Sequence, residues 1–168
     1  MTPLVSIIMG STSDLPVMEK AMNFLNEQKI PFEVNALSAH RTPEAVEQFA
    51  RTAEERGIKV IIAAAGMAAA LPGVIAASTV VPVIGVPIKG AFDGLDAMFS
   101  IIQMPPGIPV ATVGVNGAMN AAVLAMSILA LSDKDIAQRL HDYKSGLSAK
   151  IEKANRELAD IKYDFKTN

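Results

Sequence analysis

Apolar positions along the chain follow two alternating rhythms. Short runs rich in β-branched residues, Leu4 to Met9, Phe32 to Leu37, Val60 to Ala64, Val83 to Val86 and Val110 to Val113, read as five buried strands. Between them lie stretches of helical period. One begins near Pro16, a good first-turn residue, and sets Met18, Ala21, Met22 and Leu25 on one face. Another opens at Thr42-Pro43-Glu44, in the order N-cap, first turn, acidic first turn, with Val46, Phe49, Ala50 and Ala53 inward and Gly57 as its end. Strands alternating with helices predict a parallel sheet covered on both faces. With five strands, the expected fold is an α/β flavodoxin-like three-layer αβα sandwich.

Two later segments break this rhythm. Gly117 to Leu131 is apolar nearly all round, which predicts a helix buried on every side, in a domain this small at a subunit interface. From Asp133 the pattern becomes charged, with Ile136, Leu140, Tyr143, Leu147, Ile151, Ala154, Leu158 and Ile161 recurring every three or four residues. This predicts a long C-terminal helix, weakened or bent at Ser145-Gly146 because glycine costs ~1 kcal/mol relative to alanine inside a helix. Residues 1–168 read as one domain, with an α/β core over 1–132 and a helical tail over 133–168.

Composition sharpens the picture. Of 168 residues, 51% are hydrophobic and 19% charged, an apolar balance that predicts burial between subunits. A formal net charge of −2 gives no general attraction to nucleic acid or an anionic membrane, so an anionic ligand must be held by local groups. With no cysteine there is no disulfide, thiolate nucleophile or cysteine metal site. No basic region precedes a cleavable apolar segment, and Ala118 to Leu131 falls short of the ~20 residues a membrane span needs. The expectation is a cytoplasmic protein without nucleic-acid or membrane partners.

Candidate chemistry gathers where the strands end, the edge at which open parallel sheets bind ligands. Gly10-Ser11-Thr12-Ser13-Asp14 offers hydroxyls, free amides at a helix N-terminus and a carboxylate suited to a ribose diol. Read alone, it fits an ordinary helix cap equally well. Ser38-Ala39-His40-Arg41-Thr42-Pro43 is more specific. Arg41 can fork onto a phosphate, Ser38 can add a hydroxyl, and an imidazole, which ordinarily titrates near ~6.5, suits proton transfer. The bland alternative is a loop histidine capping main chain. His141, the second histidine, sits among charges and reads as a solvated helix face.

The loop Ala65-Gly66-Met67-Ala68-Ala69-Ala70-Leu71-Pro72-Gly73 carries almost no side-chain function. It suits either a planar ligand lying on main chain, with amides for a carboxylate, or tight helix–sheet packing. Lys89 to Asp93 and Gln103 to Gly107 occupy equivalent positions, where Lys89 could touch an anion but reads first as a solvated lysine. No G-x-x-x-x-G-K-[ST] or G-x-G-x-x-G motif occurs, and no cluster of metal-ligating types. The expectation is acid–base chemistry through one histidine, with no cofactor and no metal, on a phosphorylated nucleotide-like molecule.

These segments, in this order, resemble the carboxyaminoimidazole ribonucleotide mutase family of purine biosynthesis. The likeness runs through Ile7 to Asp14, Ser38 to Pro43, Leu71-Pro72-Gly73, Pro82 to Pro87, Ser100 to Pro105 and Gly107 to Val113, and spans about residues 4 to 140. It implies a flavodoxin-like homo-octamer with active sites at subunit junctions. The implied reaction converts 5-carboxyaminoimidazole ribonucleotide to 4-carboxy-5-aminoimidazole ribonucleotide. By motif, Ser11, Ser38 and Arg41 are implied phosphate binders, Asp14 the ribose ligand, Ser13 a main-chain contributor and His40 the acid–base. The Gly66 to Leu71 loop would border the base and the migrating carboxylate, and Ala39, Ala65, Gly66, Met67, Ala68 and Leu71 are implied substrate-binding residues. The chain departs from the pattern at Ala70, where many members carry histidine. A related branch carboxylates aminoimidazole ribonucleotide directly with CO2 and typically has lysine after the loop histidine; Arg41 favours the mutase. A catalytically silent nucleotide-binding module is the remaining alternative, against which His40 argues.

Overall fold

The computed structural model describes residues 1–168. Five strands, β1 (Val5–Met9), β2 (Phe32–Ala36), β3 (Val60–Gly66), β4 (Val83–Ile88) and β5 (Ala111–Thr112), form one sheet in the order β2-β1-β3-β4-β5. Every pairing is parallel. Six helices connect or follow them: α1 (Leu15–Glu27), α2 (Pro43–Thr52), α3 (Leu71–Ala77), α4 (Leu95–Ile102), α5 (Ala118–Leu129) and α6 (Lys134–Ala159). A single 3-10 turn, Thr12–Asp14, leads into α1.

The central strands are apolar throughout because both faces are covered, and successive residues go to opposite sides. Val5, Ile7 and Met9 join Val60, Ile62, Ala64, Ile84 and Val86 beneath α1, α5 and the start of α6. Ile8, Ile61, Ala63, Ala65 and Val83 point the other way, beneath α2, α3 and α4. Fully burying one such aliphatic side chain is worth about 1.5–3 kcal/mol, so these two layers dominate stability. Small residues set the spacing: a Cβ on Gly85 of β4 would stand 2.4 Å from Ile101 Cγ2, which fixes how closely α4 approaches the sheet.

The structure revises several expectations. β3 and β4 run two residues further than the pattern suggests, and the ladder at β5 shrinks to two residues. The short helices α3 and α4 add two elements that the sequence pattern does not assign. Thr42 occupies the N-cap of α2, but its hydroxyl serves Ser38 instead of the helix amides. That helix ends at Thr52; Gly57, with φ 85, closes the turn beyond it. On the α1 and α2 faces, Met22 and Phe49 are only partly buried.

Within one chain α5 buries a single face: Ala118, Ala121, Ala122, Ala125 and Met126 are buried, whereas Met119, Asn120 and Leu124 are exposed. α6 is unbroken through Ser145-Gly146, since the regular helix on either side carries the glycine. Its first turns belong to the core. Ile136 is buried, and Tyr143 meets Phe24 edge-on with ring centroids 4.9 Å apart. From Leu147 onward the helix leaves the domain, and Ile151, Leu158 and Ile161 face solvent. No helix is long and apolar enough to cross a membrane.

Candidate active site

The chain leaves β1 towards β2 on one side and returns to β3 on the other, so a crevice opens at the carboxyl ends of the strands, the place where such sheets bind ligands. A cavity of about 530 Å³ occupies it, large enough for a nucleotide-sized molecule. Gly10, Ser11, Ser13 and Asp14 line it from the β1 end, and Ser38, Ala39, His40 and Arg41 from the β2 end. Ala65 to Leu71 supply its third wall from β3, and Ile88, Lys89 and Gly90 its fourth from β4. All the site residues anticipated from sequence therefore border one cavity. Gly10, Ala69, Ala70, Ile88, Lys89 and Gly90 are added to them. Gly10, Ala69 and Ala70 belong to loops the sequence had already marked; for Ile88, Lys89 and Gly90 the signal was position after a strand, which names the neighbourhood but not the wall.

Two linked turns shape the first half. Ser11 Oγ accepts from the Ser13 amide at 3.3 Å, capping the 3-10 turn. Asp14 is 9% exposed, and burial pushes its carboxyl up from the ordinary range, against hydrogen bonds from the Ser13 hydroxyl and the Ser11 main chain. A carboxylate held in such a buried position is a strong acceptor for a pair of hydroxyls.

Across the crevice, Thr42 Oγ1 accepts from the Ser38 amide at 3.0 Å and donates to the Ser38 carbonyl at 3.1 Å, closing the loop on itself. Arg41 Nε donates to Ser38 Oγ at 3.2 Å and Nη2 to the Gly10 carbonyl at 2.8 Å. The guanidinium thus joins the β1 and β2 loops while its remaining donors stay available. Together with the Ser11 and Ser38 hydroxyls it forms a cationic, donor-rich corner suited to phosphate. His40 is exposed on the cavity wall beside it.

The third wall contrasts with this corner. Its side chains are small and apolar, and Met67, 68% exposed at the lip, has φ 55. A bulky residue held left-handed costs about 1–3 kcal/mol, as is found where backbone is committed to a ligand. Ala70 occupies the N-cap of α3 without a side-chain cap, leaving that helix end open towards the cavity. The arrangement offers a charged end for an anion, a carboxylate for a diol, and an uncharged shelf for a planar ring. One imidazole can exchange protons above it.

Residues 4–150 match the family described as AIR carboxylase. The N5-carboxyaminoimidazole ribonucleotide mutase of Pyrococcus abyssi is 58% identical over 146 residues, covering 86% of this chain and 84% of that one. The enzyme of the same description from Methanocaldococcus jannaschii is 49% identical over 158 residues, 94% of this chain and 99% of the other. Among solved structures, that of Treponema denticola PurE superposes with a TM-score of 0.85 at 34% identity, over 93% of this chain and 98% of that one.

Proposed function

The chain belongs to the AIR carboxylase family and converts 5-carboxyaminoimidazole ribonucleotide to 4-carboxy-5-aminoimidazole ribonucleotide in purine biosynthesis; from that premise we propose that His40 alone carries the proton transfers. The observation behind this reading is the composition of the cavity wall, where His40 is the one imidazole among Asp14, Arg41, Lys89 and uncharged residues. In this reading Ser11, Ser38 and Arg41 hold the 5′-phosphate and Asp14 accepts from the ribose hydroxyls. Ser13 supports Asp14 through the 3.3 Å hydrogen bond its hydroxyl donates. Ala39, Ala65, Gly66, Met67, Ala68 and Leu71 border the imidazole ring of the substrate.

The reaction requires no net proton. Protonated His40 delivers a proton to the exocyclic nitrogen of the carbamate as the N–C bond breaks, releasing CO2 and the neutral amine. Ring carbon four, nucleophilic as the β-carbon of an enamine, attacks the retained CO2 and forms the new C–C bond. That carbon then gives its proton to His40, which returns to its starting state. The uncharged β3 wall holds CO2 between the two steps and replaces water with fixed backbone dipoles.

The proposed enzyme is cytoplasmic, takes a small-molecule substrate, and assembles as a homo-octamer. Support for assembly comes from two uncovered apolar stripes: Leu95, Phe99 and Ile102 on α4, and Leu147, Ile151 and Leu158 on α6. Contiguous apolar surface of this kind is rarely left in water.

Purified protein given 5-carboxyaminoimidazole ribonucleotide, with absorbance of the carboxylated product as readout, tests the reading. His40→Asn keeps ribonucleotide binding and loses about 10²–10⁴-fold or more in turnover. Substantial activity in that variant moves the proton transfer elsewhere. Product formed only from aminoimidazole ribonucleotide and CO2 assigns direct carboxylation instead.

A further inference from the structure

Apart from His40, which carries the proton transfers, Arg41 and Lys89 are the cationic side chains on the cavity wall, and the phosphate reading uses only Arg41. Lys89 stands at the end of β4, three strand positions from β2 and two from β1. At ~4.8 Å between neighbouring strands this is roughly 10–15 Å from the phosphate corner, comparable with the length of an imidazole ribonucleotide. A cation there lies at the opposite end of the ligand from the phosphate. The β3 wall between them is uncharged.

The surroundings of Lys89 hold its backbone firmly and its ammonium loosely. Its amide donates to Asn116 Oδ1 at 2.9 Å, and the Asn116 amide donates to the Pro87 carbonyl at 2.8 Å. Asn116 itself is left-handed, with φ 57, a conformation asparagine tolerates well. The ammonium, in contrast, is held only by Asp93 Oδ1 at 2.9 Å, and both side chains are largely exposed, 56% and 83%. Such a pair is weak and exchanges its partner readily.

Considerable backbone constraint goes into presenting that carboxylate. Phe92, Asp93 and Gly94 are left-handed in succession, with φ 49, 55 and 86. A Cβ on Gly94 would stand 2.6 Å from Val115 Cγ1, so only glycine fits there. Strain at a bulky residue next to cavity-lining Lys89 and Gly90 is of the kind that clusters at functional sites.

We propose that Lys89 is a specificity-determining residue for the substrate's carboxylate, paired with Asp93 and exchanging that carboxylate for the ligand's on binding. The proposal rests on the mutase reading, which supplies a ligand anionic at both ends. It gives the reaction a cation at the end where the carboxyl group leaves and returns, and so a discriminator between carboxylated and uncarboxylated ribonucleotides.

The test measures dissociation constants of the wild type, Lys89→Gln, Lys89→Arg and Asp93→Asn for two ligands. These are 4-carboxy-5-aminoimidazole ribonucleotide and 5-aminoimidazole ribonucleotide, which lacks the carboxylate. Lys89→Gln should weaken the first by about 10-fold and the second by less than about 2-fold, as expected for loss of one charge-assisted contact. Lys89→Arg should recover most of the loss, and Asp93→Asn should leave the carboxylated ligand as tight or tighter. Equal effects of Lys89→Gln on both ligands, no effect on either, or a loss in Asp93→Asn matching that of Lys89→Gln overturns the proposal. A wild type that binds both ligands and isomerises keeps the mutase reading whatever Lys89 does. A wild type that binds neither removes both.

Discussion

The Arg41 guanidinium donates to the Gly10 carbonyl at 2.8 Å, a contact between residues 31 apart in sequence that ties two strand ends together. Because the same side chain also donates to Ser38 Oγ, its plane is fixed by contacts within the protein. Preorganisation of this kind reduces the ordering cost of binding.

Arg41→Lys should therefore weaken the phosphorylated ribonucleotide by about 10–100-fold, since an ammonium can neither fork onto phosphate nor keep both intramolecular contacts. The corresponding nucleoside should bind almost as it does to the wild type. Titration calorimetry with both ligands checks this; an equal loss for the two would make Arg41 a structural clamp only.

Asp14 makes a prediction about pH. Its carboxyl is raised in the folded protein, so the folded state keeps a proton that the unfolded chain releases near its ordinary 3.8. Stability attributable to this group is greatest at low pH and falls as pH rises from about 3.8 through the folded value. Above that window the desolvated charge is a fixed cost. Asp14→Asn should raise Tm at neutral pH, with the gain vanishing towards pH 3, while ribonucleotide affinity drops. A Tm difference that is flat across pH 3–7 would contradict the assignment.

Glu33 predicts a purely structural effect. Its Oε1 accepts from the fully buried Ser6 hydroxyl at 2.9 Å and from Arg56 Nη1 at 2.6 Å, while Arg56 lies over the Phe49 ring at 4.5 Å. Glu33→Ala strands a buried hydroxyl and should cost about 1–3 kcal/mol, or several degrees in Tm. Turnover per folded molecule should stay within about 2-fold, because none of the four side chains reaches the cavity.

Ala70 tests whether a second imidazole is needed. It lines the cavity but has only a methyl group, which exchanges no proton. The wild type should be active, and Ala70→His should change activity by less than about 10-fold through positioning alone. A wild type that binds ribonucleotide without isomerising it, and gains activity on Ala70→His, would show that His40 is insufficient.

The tail bears on assembly. Cutting after Ser132 would remove Ile136 and Tyr143 from the core, so the informative truncation follows Lys144. Residues 1–144 should keep the far-UV spectrum of the domain while sedimenting as a smaller species than the full chain and losing activity. Unchanged sedimentation and activity would exclude the distal tail from both roles.

Local pattern by itself determined the strands and most long helices here. A buried parallel strand must be apolar on both faces, and α1 and α2 must place an apolar stripe on the sheet; those demands are written residue by residue. The signatures at Gly10 to Asp14 and Ser38 to Pro43 likewise marked two loops as chemically rich before any geometry was known. Only the tertiary structure decided what depends on distant partners. α3 and α4 span only about two turns each, too few to separate a helical stripe from the surrounding apolar sequence, so packing on the sheet fixes them. Gly146 stays helical because cooperative hydrogen bonding on both sides outweighs its local preference. The placement of Lys89 was open for the same reason: a lysine after a strand is usually solvated, and the strand order brings it to the cavity that also holds Ser11 and Arg41.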